Sequence, residues 1–276
     1  MTPAVLITGC SSGIGRAAAF AFVRAGMPTW ASARQPEALA DLEAAGCRVI
    51  QLDVTDESSR VRAVEAVEAE HGAVGALINN AGYAESGPLE ELSMESVRRQ
   101  FETNVFGLLR MCQLVLPAMR ARRRGTIVNV GSVGGLITAP AAGAYHMSKY
   151  ALESLSDALR FEVRRFGVDV VLLEPDGVRT QFPVTAAATA PRGSTPGPYE
   201  VLKTSHQNVL ARSYREGARG LLTPEEVADV ALKAVTSRRP KPRYKIGLQA
   251  RVAPPARRLI GDRAWDLVMG RLFPVE

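Results

Sequence analysis

The chain has 276 residues, 46% of them hydrophobic and 22% charged, with 34 Lys and Arg against 28 Asp and Glu for a net charge of +6. That length and balance fit one globular domain with a full core and require no second. The excess charge gathers at 120–124, at 238–243 and from Arg251 onward, without interleaved aromatic residues or zinc-ligand spacing, so it reads as solvated faces and no nucleic-acid partner is expected.

In chain order, Ala4-Val5-Leu6-Ile7-Thr8 is an apolar, β-branched run that suits a strand buried on both faces. Three glycines follow, Gly9, Gly13 and Gly15, and then a stretch with helical spacing from Arg16 to Ala25 that ends at Gly26. Pro28 to Ala33 predicts a second strand, Pro36 to Ala45 a helix, and Arg48 to Leu52 a third strand ending at Asp53. A helix over 57–70, a strand over 75–79, a long helical stretch over 94–123 interrupted near Asn104 and Gly107, and a strand over 126–130 come next. Ala144 to Phe166 predicts a helix and Val168 to Leu173 a sixth strand. Strands alternating with helices of this length predict right-handed crossovers and a doubly wound parallel sheet covered on both faces, an α/β fold of the Rossmann type. One domain is expected over 1–276. The three cysteines, Cys10, Cys47 and Cys112, lack metal-ligand or disulfide spacing, which predicts a reducing, cytoplasmic setting and no metal site. The first strand begins almost at Met1, which leaves no signal peptide, and no run approaches the ~20 apolar residues of a membrane span.

In such a sheet, ligands sit beyond the carboxyl ends of the strands. Those ends carry Gly9, Arg34, Asp53, Asn79-Asn80-Ala81-Gly82, Gly131-Ser132 and Glu174-Pro175-Asp176-Gly177, which predicts one shared rim. Strand, glycine turn and helix in succession can hold a pyrophosphate. Gly9 permits the turn, Gly13 lets the backbone approach the phosphates, and Gly15 lets the helix pack on the strand, while the helix N-terminus offers free N–H groups. Arg34 stands where an acidic residue would grip an unphosphorylated ribose; with Ser11 and Ser12 nearby it can pair with a 2′-phosphate, so NADP(H) is expected over NAD(H). Tyr145 and Lys149 lie one helical turn apart, so the lysine ammonium can lower the phenol's pKa from its ordinary ~10 and can hold the nicotinamide ribose. Ser132 can donate a hydrogen bond to a substrate oxygen.

These motifs, together with Asp53-Val54, Asn104-Val105-Phe106-Gly107 and Tyr145-x-x-x-Lys149, resemble a classical short-chain dehydrogenase/reductase over nearly the whole chain. The resemblance implies hydride transfer between an alcohol and a carbonyl, with Tyr145 as general acid/base, Lys149 as its modulator, Ser132 on the substrate oxygen and Asn104 holding a relay water. It places the cofactor against Gly9, Ser11, Ser12, Gly13, Ile14, Gly15, Arg34, Asp53, Val54, Asn80, Ala81 and Gly82. Tyr145, Lys149, Pro175, Gly177, Val178 and Thr180 complete that set. It also implies a homodimer or homotetramer paired through helices 94–123 and 144–166. A sensor that binds NADP(H) without turnover is the rival reading, and the intact Asn104, Ser132, Tyr145 and Lys149 weigh against it. A reductase of secondary metabolism is the other alternative. An epimerase of the extended branch would have a different glycine spacing.

The loop together with Gly131-Ser-Val-Gly-Gly-Leu136 and Tyr150-Ala-Leu-Glu-Ser154 resembles the steroid 17β-dehydrogenase and retinol dehydrogenase branch, which implies a bulky, apolar substrate. Residues 181–220 read as a substrate lid of loop and helix, and 247–276 as a C-terminal extension that covers the pocket, packs on a second subunit or rests on a membrane surface. One departure stands out: the family's Pro-Gly after the sixth strand is here Pro175-Asp176-Gly177, which predicts a negative charge near the nicotinamide. Met147 replaces a small residue, and His146 and His206 are assigned no role.

Overall fold

The computed structural model describes residues 2–189, 197–215, 218 and 220–274. Seven parallel strands form one sheet: β1 (Val5–Ile7), β2 (Thr29–Ala33), β3 (Arg48–Gln51), β4 (Ala76–Asn79), β5 (Gly125–Val130), β6 (Val168–Pro175) and β7 (Arg243–Ile246). Their order is β3-β2-β1-β4-β5-β6-β7, so the winding reverses between β1 and β4. That reversal opens a crevice at the carboxyl ends of the two strands, the place where such sheets bind ligands.

The helices are α1 (Gly13–Arg24), α2 (Ala40–Ala44), α3 (Glu57–His71), α4 (Met94–Phe101), α5 (Leu108–Ala121), α6 (Gly143–Val163), α7 (Phe182–Thr189), α8 (Glu200–Tyr214), α9 (Pro224–Thr236) and α10 (Leu248–Leu272). Two apolar cores form, one per face of the sheet. Ala18 and Phe22 of α1 and Val227 and Ala231 of α9 pack with Ile7 and Val128 on one face. Val64 of α3, Met111 of α5 and Leu152 of α6 pack with Leu6 and Leu77 on the other. Central strands buried on both faces explain why their sequences read as continuous apolar runs.

The expected helix over 36–45 is a 3₁₀ turn followed by the short α2. The interruption expected near Asn104 is a π-helical segment, Glu102–Gly107, set between α4 and α5. Such segments are rare and recur at functional sites. β7 was absent from the expected strands, because Arg-Tyr-Lys-Ile is short, half-exposed and basic at the sheet edge. Of the lid expected over 181–220, α7 and α8 are helical; 190–196, 216–217 and 219 lie outside the described residues. Among the described residues, no helix is long and apolar enough to cross a membrane.

Candidate active site

Thr8 and Asn80 fix the glycine loop. The Thr8 hydroxyl accepts from the backbone N–H groups of Asn80 and Ala81, both at 3.0 Å, and Asn80 Nδ2 donates to the Thr8 and Gly9 carbonyls at 3.0 and 2.9 Å. β1 and β4 are thereby stitched together at the reversal of winding. Gly9 and Gly13 have φ of 73° and 58°, in the region that favours glycine. A Cβ on Gly15 would overlap the Gly9 carbonyl and the Asn80 amide. The N-terminus of α1 has no side-chain cap and no acidic residue in its first turn. Its free N–H groups open onto a crevice lined by Gly9, Ser11, Ser12, Gly13 and Ile14, a cradle that fits a pyrophosphate. Gly15 is not on the crevice wall; it lies behind, where it permits the close packing. Arg34, Asp53, Val54, Ala81 and Gly82 line the same crevice. Asp53 Oδ1 is held by the backbone N–H and hydroxyl of Thr55 at 2.9 and 2.7 Å.

Ser132, Tyr145 and Lys149 meet on the wall of the same cavity. Ser132 follows β5 and caps a 3₁₀ turn, its Oγ accepting from Gly134 N at 3.0 Å. Tyr145 and Lys149 share one face of α6, with the lysine Nζ 5.8 Å from the ring centroid and donating to the Val130 carbonyl at 2.8 Å. Burial pushes the Tyr145 phenol above its ordinary value; a hydrogen bond with Ser132 pulls it back, and Tyr214 nearby adds to the rise. Desolvation sets that net direction, and Lys149, its Nζ 5.8 Å from the ring centroid, does not offset it. Burial also brings Lys149 down to about 8, with Glu153 opposing.

Asn104 stands behind this wall, in the π segment. Its amide donates to the Tyr83 carbonyl (2.9 Å) and Ser148 Oγ (3.1 Å), and its Oδ1 accepts from Tyr83 N (3.1 Å). Both side-chain N–H donors are therefore spent on holding α6 and the Tyr83 loop in register. Glu174 is likewise away from the rim: fully buried, it bonds Arg243 at 3.0 Å, and Arg243 also reaches Glu153 and Asp157 at 2.8 and 2.7 Å. This cluster ties β7 to α6, and no motif announces it. His146 is locked between the Gly134 carbonyl (2.8 Å) and Ala139 N (3.0 Å), consistent with a packing residue.

Pro175, Asp176, Gly177, Val178 and Thr180 also line the cavity. Beyond Tyr145 its wall turns apolar, with Phe182 of α7 (5.4 Å between ring centroids from Tyr145), Leu210 of α8, Val252 of α10 and Phe273. The cavity volume is about 1130 Å³. His206 and Tyr214 of α8 line it as well. These walls were not identified residue by residue from sequence, since they come from mixed-polarity helices with no motif. Asp176 has its Oδ2 accepting from Gln249 N at 2.8 Å, and burial raises its carboxyl above the ordinary value.

A family model described as short chain dehydrogenase matches residues 3–190. The uncharacterized oxidoreductase YbbO of Escherichia coli is 35% identical over 270 residues, covering 98% of this chain and 94% of the relative. A 3-ketodihydrosphingosine reductase of Bacteroides thetaiotaomicron is 41% identical over 179 residues, 64% of this chain and 65% of the relative. Among solved structures, a short-chain dehydrogenase of Streptomyces avermitilis superposes with a TM-score of 0.81 at 34% identity, covering 98% and 96% of the two chains. A serine dehydrogenase complexed with NADP+ reaches 0.76 at 25% identity over 88% and 94%. A Burkholderia phymatum relative in complex with NAD reaches 0.79 at 28% over 96% and 95%. The glycine cradle fits the dinucleotide that those two structures carry. A doubly wound sheet opening on that cradle, matched by the family model through β6, leaves one assignment: the chain belongs to the short-chain dehydrogenase family of oxidoreductases.

Proposed function

We propose that the protein interconverts an alcohol and a ketone or aldehyde, with NADP(H) as cofactor, on a bulky and apolar substrate. The observation that carries this reading is the meeting of Tyr145, Ser132 and Lys149 on one cavity whose far side is apolar. When bound, the nicotinamide supplies or takes the hydride. In reduction, Tyr145 Oη gives its proton to the substrate oxygen while Ser132 donates a hydrogen bond to it, and the Lys149 ammonium offsets the charge left on the phenolate. In oxidation the proton returns to Tyr145. Asn104 acts by positioning α6, and a relay through water at that residue belongs to the same proposal.

Room for a large substrate supports the second half of the reading, because a cofactor alone does not use the apolar wall on α7, α8 and α10. The relative named a 3-ketodihydrosphingosine reductase is by its name a reductase of a keto compound. Phe161 of α6 and Phe106 of the π segment, 69% and 51% exposed, support pairing with a second copy through that side. The test is NADPH consumption against steroid, retinoid, quinone and small aliphatic carbonyls; turnover on small polar carbonyls alone would sink the substrate class.

Arg34 carries the NADP(H) preference. Arg34→Glu is expected to lower kcat/KM for NADPH by ~100-fold while NADH gains, since a carboxylate repels the 2′-phosphate and accepts from the free ribose hydroxyls. Paired steady-state assays with the two cofactors check it, and an unchanged ratio refutes the assignment.

Lys149 sets a pH limb. A lysine depressed to about 8 is charged below that value and neutral above it. NADPH affinity of the free protein is therefore expected to hold at lower pH and to weaken as pH rises through about 8. Titrating NADPH fluorescence across that range in wild type and Lys149→Met checks this; a limb that persists in the variant belongs to another group.

A further inference from the structure

The loop after β6 and the start of α10 fit each other in a way that neither explains alone. Gly247 precedes α10 and has no side chain with which to cap it. Asp176, at the end of β6, does so across the gap: its Oδ2 accepts from Gln249 N at 2.8 Å. Asp176 N donates in turn to the Ile246 carbonyl at 2.9 Å. A Cβ on Gly247 would overlap the Asp176 carboxylate, so the aspartate and the glycine are matched. A side chain that accepts from an N–H in the first turn of a helix satisfies a donor that has no partner within the helix.

The far end of α10 is fixed differently. Phe273 is 7% exposed and stacks on His206 of α8, with ring centroids 6.2 Å apart and planes at 26°. Between the two anchors the helix kinks at Gly261 and packs thinly, with Leu259 at 86% exposure. Both anchored ends line the cavity: Leu248, Gln249, Val252 and Ala253 at the start, Phe273 at the finish.

We infer that α10 is a wall of the substrate pocket held at two points, and that Asp176 and Phe273 set which substrates fit. Asp176 is a positioning residue, acting through the first turn of α10. Phe273 is a specificity residue whose ring, seated on His206, limits the width of the apolar side. The substrate selected is a carbonyl with a bulky apolar body that reaches Val252 and Phe273 on this wall. This rests on reading the cavity as a carbonyl-reducing site.

The experiment uses the full-length protein with NADPH and three carbonyls: acetone, methyl nonyl ketone and a steroid ketone. Asp176→Ala is expected to raise KM for methyl nonyl ketone by ~10-fold with kcat within about twofold, because the wall moves and Tyr145 does not. Asp176→Asn keeps an acceptor oxygen for Gln249 N and is expected to restore the wild-type KM. Phe273→Ala is expected to shift kcat/KM toward the steroid ketone, relative to methyl nonyl ketone, by ~10-fold. Wild-type selectivity in both Asp176→Ala and Phe273→Ala overturns the inference. Amide hydrogen exchange gives an arm that needs no turnover: Gln249 is expected to exchange ~10-fold faster in Asp176→Ala and at the wild-type rate in Asp176→Asn. If wild type turns over none of the three, the carbonyl reading fails on its own. Unchanged exchange in Asp176→Ala overturns the clamp whether or not the enzyme is active.

Discussion

Tyr145→Phe is expected to cut turnover of a reducible ketone by ~10³-fold while leaving NADPH affinity within about twofold of wild type. The substitution removes one oxygen and little else. The ring keeps its contacts with Phe182 and His146, at 5.4 and 5.7 Å between centroids, and Lys149 keeps its bond to the Val130 carbonyl. Ser132 retains the Gly134 N–H as a partner and stays oriented. What is lost is the proton that must reach the substrate oxygen, and the neighbouring His146 does not replace it, since both its ring nitrogens are engaged. Steady-state kinetics with fluorescence-detected NADPH binding separates the two effects. Normal turnover would remove Tyr145 from the chemistry, and lost NADPH binding would make it a cofactor residue first.

Gly15→Ala is expected to weaken NADPH binding by ~100-fold or more. Its Cβ would overlap the Gly9 carbonyl oxygen and the Asn80 amide, and those two groups are bonded to each other at 2.9 Å. Relief requires the glycine loop to open, which breaks the stitch between β1 and β4 and moves the N–H groups at the start of α1 off the phosphate position. Overpacking of this kind costs about 1–3 kcal/mol before any loss of binding. Gly26→Ala is the control: φ is 72° there, but a Cβ meets nothing within 4 Å. It is expected to lower stability by about 1 kcal/mol through backbone strain and to leave NADPH affinity alone. Thermal melts with and without NADPH read both quantities. Wild-type affinity in folded Gly15→Ala would contradict the role given to the loop.

The central strands were legible because burial on both faces favours apolar runs: Val5–Ile7 is wholly apolar, and Gly125–Val130 is broken by Thr126 and by Asn129, which bonds Ser156. The loop and the Tyr145–Lys149 turn were legible because their chemistry demands particular residues at fixed spacing. Asn104 was placed near the site, though its amide turned out to be committed to Tyr83 and Ser148. Position follows from a motif, whereas the partners of a side chain depend on elements far away in the chain. The same holds for Tyr145, whose direction of shift is set by burial that no spacing reports. β7 escaped because its polar–apolar alternation, Arg-Tyr-Lys-Ile, runs for only four residues, the shortest stretch that can be read as a strand. The segments that hold α8 and α10 were read as a substrate lid and a C-terminal extension, but not the side chains that form the wall: His206 and Phe273 sit in segments of mixed polarity and acquire meaning only by meeting each other. Asp176 was visible as a departure from the family's pattern, but its partner, the uncapped start of α10, was not.

The most direct test of the central claim is NADPH oxidation by the purified protein with a bulky apolar ketone, run beside NADH and beside Tyr145→Phe. Rapid consumption of NADPH, a slower rate with NADH and near-zero turnover in the variant is the expected result. Tight NADPH binding with no oxidation on any carbonyl would contradict it.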